Sequence, residues 1–429
     1  MPMRQPFSPG PRGPLAPQSA VLRFVLPVVL LAACLLAAPV RAQVHLGGSL
    51  DVEYRNGGRD ASPLRSQTPA TGGTFYVPYA RLFAAADLAP RWMVQAALQT
   101  DYYGGDRLNP VFFSLLYARW QPFGSEALGL QAGRFVLPFG LEAERYLGFD
   151  NPFVHLPMLQ EWNLRVDPEV GFFAGTPSYD AFPGQSVVYP RMYAQGVSVL
   201  GAAGPGERFT YALAATIASA SSYVEAGYGP VPAVVGRVTA RPSIWSRVGL
   251  SATYGPYGRR SDANDMLSTS QHARYRQAAL AADVRLAYGH VEVAAQHTWN
   301  RWTTFWLDTT GEPVAGAPAS TRGFHLLDDD VDLSLRHFMA EAKVDLPFLV
   351  GAYAALRYER MRFGRLQMAG GGRSRDEPHW MPETDRVEAV FGYRLARDVR
   401  FKASYLTASN GGPNEFDDDV LALQLSVRF

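Results

Sequence analysis

A chain of 429 residues, 47% of them apolar and with a formal charge of +1, is long enough for two ordinary domains or one large barrel, and its charge gives no bulk attraction to nucleic acid. Its mean hydropathy of −0.09 is far below that of a helical membrane protein. The single cysteine, Cys34, offers no disulfide framework.

Residues 1–42 stand apart. They carry Arg4, Arg12, Arg23 and Arg41, no acidic residue, and the apolar run FVLPVVLLAACLLAAPV followed by RAQ. This is the pattern of a secretory signal peptide, with small residues before a cut between Ala42 and Gln43. The run is short for a membrane-spanning helix and holds Pro27 and Pro39. Leu31 to Cys34 resembles a lipoprotein box, but the apolar run continues past Cys34. The expected organisation is therefore a signal peptide at 1–42 and one unit at 43–429. Cleavage would remove the only cysteine and tip the formal charge slightly negative.

Beyond residue 42 no apolar stretch is long enough for a helical span. Period-2 segments recur instead. They predict sixteen strands near 45–55, 74–88, 91–103, 110–120, 128–138, 188–203, 206–219, 232–242, 245–258, 272–288, 290–307, 333–346, 349–363, 384–396, 398–409 and 418–429. The alternation is clean in many of them. Val94, Ala96, Leu98, Thr100 and Tyr102 oppose Gln95, Ala97, Gln99 and Asp101. At the end of the sequence Leu421, Leu423, Leu425, Val427 and Phe429 oppose Ala422, Gln424, Ser426 and Arg428. Near Arg134 the alternation breaks, which predicts a bulge.

Connections alternate between short turns, such as LAPRW and YGH, and long loops at 56–73, 104–109, 139–187, 220–231, 259–271, 308–332, 364–383 and 410–417. Short turns on one side and long loops on the other are the pattern of an outer-membrane barrel. The fold class expected is all-β, a transmembrane antiparallel β-barrel of about sixteen strands. A soluble sandwich would bury the apolar face against a second sheet. Against it stand the export signal, the strand length, and aromatics at the short-turn ends: Trp92, Trp120, Trp245, Tyr288, Phe348 and Phe429. Closure is the all-β way to satisfy every backbone group in lipid.

Several stretches resemble the phosphate-selective porin O and P family: GRFVLPFGLE (133–142), FTYALA (209–214), VVGRVTARP (234–242), AALAADVRLAYGHVEVAAQ (278–296) and FKASYL (401–406). The resemblance implies a sixteen-stranded porin of the Gram-negative outer membrane. It also implies a homotrimer, small anionic solutes and a terminal aromatic read by the barrel-assembly machinery, here Phe429. It departs at lysine: Lys343 and Lys402 are the only two.

If the polar parity lines a channel, its basic candidates are Arg81, Arg247, Arg285, Lys343, Arg357, Arg386, Arg394, Arg400, Lys402 and Arg428. Its acidic candidates are Asp101, Asp283, Glu292, Glu341, Glu359 and Glu388. The positive excess predicts a weak anion preference. The alternative is that these groups form cross-strand ion pairs that fill the wall. The third long loop, 139–187, commonly folds inward in sixteen-stranded porins, so Arg145 and Arg165 are candidate constriction residues; an outward cap is the alternative.

The acidic runs 328–332 and 417–420 are expected to be solvated loop faces. No nucleophile-elbow, zinc-protease or nucleotide-binding motif occurs, so neither an enzyme nor a cofactor is expected. The expected partners are outer-membrane lipid and lipopolysaccharide, the assembly machinery and small anions, not nucleic acid. The expected function is passive diffusion of small hydrophilic solutes; the rival is a closed-lumen structural or surface-binding barrel.

Overall fold

The computed structural model describes residues 43–57, 73–100, 111–145, 147–173, 184–190, 192–222, 231–258, 274–308, 325–366, 379–410 and 417–429. The expected signal peptide and Asp101 lie outside the described residues. Sixteen antiparallel strands close into a barrel. They are β1 Gln43–Gly57, β2 Thr74–Ala89, β3 Trp92–Thr100, β4 Phe112–Trp120, β5 Gly129–Val136, β6 Tyr193–Ala203, β7 Phe209–Thr216 and β8 Ala233–Ser243. The second half comprises β9 Ser246–Pro256, β10 Arg276–Tyr288, β11 Val291–Asp308, β12 His325–Asp345, β13 Ala352–Phe363, β14 Thr384–Ala396, β15 Val399–Asn410 and β16 Asp417–Arg428.

Each strand pairs with its neighbour in sequence, and β16 pairs with β1 through Ser49 opposite Arg428 to Gly57 opposite Val420. Gly48 donates its N–H to the Phe429 carbonyl at 2.8 Å and accepts from the Phe429 N–H at 3.1 Å, so the last residue is stitched into the seam. No open edge remains between these strands, which is what a hydrocarbon surround demands.

The alternation sorts the side chains as expected. Leu421, Leu423 and Leu425 are exposed outward, while Ala422, Gln424 and Ser426 are buried inward. The same holds for exposed Leu356 and Val387 beside buried Arg357 and Glu388. An apolar outer band over a polar inner wall inverts the soluble arrangement. At the short-turn end Trp92 stacks on Trp120 at 6.0 Å, and Trp245 meets Tyr288 edge-on at 5.5 Å. Phe348 and Phe429 are also exposed, completing an interfacial girdle.

Two local expectations are corrected. Strand β12 begins at His325 and β16 at Asp417, so the acidic runs 328–332 and 417–420 both lie in strands and not in loops. Asp residues disfavour strands, but here Trp306 and Leu307 of β11 pair with Asp328 and Leu326 across two register shifts and carry the ladder on. Near Arg134 the pairing of β5 runs through without a register shift. The break in alternation coincides instead with Gly133, at φ 127°, where a Cβ would stand 2.2 Å from the Leu116 carbonyl oxygen.

Candidate functional site

The third long loop enters the barrel. After β5 the chain turns inward at Gly140, whose N–H donates to Ser251 Oγ at 3.1 Å. Leu141 donates to Gln296 Oε1 at 2.7 Å. A short 3-10 turn, Leu141–Glu144, follows, and then one helical turn, α1, Met158–Glu161. A two-stranded hairpin, Val166–Asp167 with Gly171–Phe172, pairs through Gly171 with Trp306 of β11. Gly171 sits at φ +68°, and a Cβ there would lie 2.3 Å from the Phe305 carbonyl oxygen, so the loop backbone rests directly on the wall.

Apolar packing drives the insertion. Trp162, Phe172 and Phe173 of the loop are buried in one cluster with Tyr257, Trp302, Phe305 and Trp380 of the barrel. Side chains of this size bury about 1.5–3 kcal/mol each when removed from water. Tyr257, just past β9, has its hydroxyl pKa raised by this burial.

The charged inner wall holds the rest of the loop. Register places Arg357 opposite both Glu341 and Glu388, and Glu359 opposite Arg386. Arg357 contacts Glu388 closely, Glu359 at 3.3 Å and Glu341 at 3.6 Å. Arg386 binds Glu359 at 2.5 Å and Glu161 of α1 at 3.0 Å, and donates to the Leu156 carbonyl. Glu388 accepts the backbone N–H groups of Val154 and His155, each at 3.1 Å. Glu359 accepts that of Met158 at 2.7 Å. Lys402 donates to the carbonyls of Gly148 at 2.6 Å and Phe153 at 3.1 Å, and Arg400 to that of Phe149 at 2.6 Å. The wall supplies ions and the loop supplies backbone dipoles, so these buried charges largely compensate one another.

The candidate pore residues therefore divide. Arg357, Arg386, Lys402, Glu341, Glu359 and Glu388 face inward but are buried beneath the loop, mostly in the cross-strand pairs that their spacing left open. Arg81, also buried, donates to Gln99 at 2.6 Å, and Arg247 is half-buried near Thr239. Asp283 is paired with Arg237 at 2.6 Å. Nearer the short-turn mouth, Arg285 pairs with Glu292 at 2.8 Å and Lys343 with Asp345 at 2.9 Å. Arg428, 47% exposed, reaches Asp398 at 3.4 Å, and Arg394 is exposed without an ion-pair partner among the described residues.

Of the two constriction candidates, Arg145 is buried between Glu142 at 2.5 Å and Glu341 at 2.7 Å. Burial works against its charge, but the two carboxylates hold its pKa above the usual guanidinium range. Arg165 is half-buried with no ion pair among the described residues, and burial lowers its pKa. The two are not brought together in one charge cluster. The inward groups Glu53, Arg55 and Glu161 were not anticipated. Arg55 pairs with Glu53 and reaches Glu161 at 3.6 Å. Glu53 and Arg55 share the parity of Ser49 and Asp51, opposite Leu50 and Val52, so that alternation carried the signal. Among the described residues no group of side chains is placed to hold a metal ion.

Solved structures share this architecture. OmpF of Salmonella typhi, in complex with daunomycin, matches with a TM-score of 0.54 at 12% identity, over 90% of this chain and 97% of that one. The outer membrane channel DcaP of Acinetobacter baumannii matches at 0.53 and 11% identity, over 90% and 97%. OprB of Pseudomonas putida matches at 0.50 and 11%, over 90% and 94%. No protein-family model and no curated protein matches the chain. The class defined is a porin-type β-barrel fold with, in this chain, an inward-folded third loop. Within it, the likeness is one of fold.

Proposed function

We propose that the chain is an outer-membrane porin, passing small hydrophilic solutes passively between the inward loop and the wall it does not cover. The observation that carries this is the polar inner wall with a loop pinned across the lumen from inside. Size exclusion would come from that loop. A weak anion preference would come chiefly from the exposed Arg394 at the mouth, beside Arg285, Lys343 and Arg428, whose charges are partly offset by their carboxylate partners. Phosphate belongs to the solutes to be tested, as the resemblance of 133–142 suggests. Phe429, held in the seam, would serve as the assembly signal, and a homotrimer is the expected assembly.

A closed-lumen barrel is the second reading. It is favoured by the apolar cluster inside the barrel around Trp302 and Trp162, which is unusual in a water-filled path. Single-channel recording in planar bilayers separates the two. The porin reading expects stepwise conductance and reversal potentials leaning to anions in a salt gradient, with phosphate, sulfate and chloride compared. Cation preference would overturn the selectivity. Silence that is relieved by deleting residues 147–173 would establish the closed barrel.

A further inference from the structure

The outer surface of β10–β13 has a feature that the channel does not use. Leu280, Trp299, Phe338 and Leu356 are exposed and apolar, as a lipid-facing wall requires. Towards the long-loop end the same outward parity turns basic at Arg301, Arg336 and Arg362. Register sets Trp299 opposite Arg336, and Arg336 opposite Arg362. Like charges directly across two strands repel, because their side chains start about 5 Å apart.

The surrounding carboxylates relieve this only in part. Asp332 is engaged by Arg301 through two hydrogen bonds. Glu383 is bound by Arg360 at 3.0 Å, and Asp385 lies 3.7 Å from the same arginine. Arg362 reaches Glu383 at only 3.7 Å. Arg336 has no ion-pair partner among the described residues. Beside the two arginines runs a groove of about 590 Å³, whose lining includes Ala278, Leu280, Trp299, Arg336, Arg362 and Glu383.

The height of the pair identifies its occupant. Arg336 stands eight residues up β12 from Val344. That is roughly 20 Å along the membrane normal, at about 3.4 Å per residue and a tilt of about 40°. The apolar band of such barrels is about 25 Å tall. Counted from Val344, the pair thus stands near the upper edge of that band, where acyl chains give way to headgroups, with an apolar floor below it. Paired guanidinium groups match phosphate oxygens in charge and fork geometry.

We propose that this groove binds a phosphorylated lipid of the outer leaflet, its phosphate between Arg336 and Arg362 and an acyl chain along Leu280 and Trp299. The inference rests on the outer-membrane reading but not on whether the lumen conducts.

The test uses the purified full barrel in neutral detergent, with diphosphorylated lipid A added and retention read by native mass spectrometry. Wild-type protein is expected to retain the lipid. R336Q/R362Q should weaken retention at least about tenfold, and R336K/R362K should fall between. Phosphatidylcholine and inorganic phosphate, tested separately, should not be retained. Equal retention by R336Q/R362Q, or equal retention of phosphatidylcholine, would overturn the proposal. So would equal retention of inorganic phosphate, or a change in oligomer mass in place of lipid loss. Conductance of R336Q/R362Q should equal that of wild type, so a silent wild-type channel that still retains lipid refutes the channel and leaves this site standing.

Discussion

The two sides of the barrel differ in height and in what their inner faces do. Strands β3, β4, β5 and β7 span 9, 9, 8 and 8 residues, whereas β11 and β12 span 18 and 21. The tall side, with β13–β15, holds Glu341, Arg357, Glu359, Arg386, Glu388 and Lys402, the charges that seize the loop. The low side contributes Gln99, which accepts from Arg81 of the neighbouring 16-residue β2 at 2.6 Å. A lumen-facing charge is available to a passing ion only where no loop has claimed it. Counting charges on the inner parity therefore overstates the field in the pore.

The largest effect should come from breaking the tall side's grip. Arg386→Met removes the nearest arginine from both Glu359 and Glu161, each buried, and leaves them Arg357 at 3.3 Å and Arg55 at 3.6 Å. Removing one partner of a buried ion pair costs up to about 3–5 kcal/mol, and that loss falls on the docked loop, since the barrel ladder is untouched. Limited proteolysis in detergent should then cut within 147–173, and single-channel conductance should rise. If the loop stayed protected, the ionic contacts would be dispensable beside the apolar cluster.

A steric change at one point of the same contact should do less. Gly148 passes so close to β1 that a Cβ would lie 2.5 Å from Asp51 Oδ2. Gly148→Val must push the loop off the wall near Lys402, with an overpacking penalty of about 1–3 kcal/mol. The expected readout is partial protease sensitivity and noisier open-channel current than in wild type. A quiet, wild-type trace would show that the wall yields instead.

This comparison also explains what the sequence could reveal. Strand positions were legible because lipid outside and polar groups inside impose period 2 on nearly every strand, and most strand ends lie within a few residues of where the alternation put them. The start of β12 was hidden, since Asp328 to Asp330 favour a loop until the ladder with β11 is seen. Cross-strand pairs such as Arg357 with Glu388 were latent in the spacing, but their register depends on turn geometry. The grip of Lys402 on the carbonyls of Gly148 and Phe153 was not legible, because backbone acceptors about 250 residues away leave no mark in the residue types. The outward Arg336 and Arg362 pair was not legible for a related reason: the two are 26 residues apart, and only the register of β12 with β13 sets them face to face.

The smallest effect probes the loop's own ion pair. Burial raises the pKa of Glu142 above the ordinary carboxylate value, although Arg145 pulls the other way. The docked loop thus holds this proton more tightly than the undocked loop does. Docking is strongest below the ordinary carboxylate pKa and weakens as pH rises through the raised one. For a single proton the slope cannot exceed about 1.4 kcal/mol per pH unit. Glu142→Gln should remove that slope and leave Arg145 on Glu341 at 2.7 Å. Protease protection of 147–173, followed across pH, should fall with rising pH in wild type and stay flatter in the variant. Equal slopes would mean that another group titrates with docking. Because Arg145 keeps one carboxylate in either case, the loop itself should remain in the barrel at neutral pH, unlike in Arg386→Met, where the cations left beside Glu359 and Glu161 stand further off, at 3.3 and 3.6 Å.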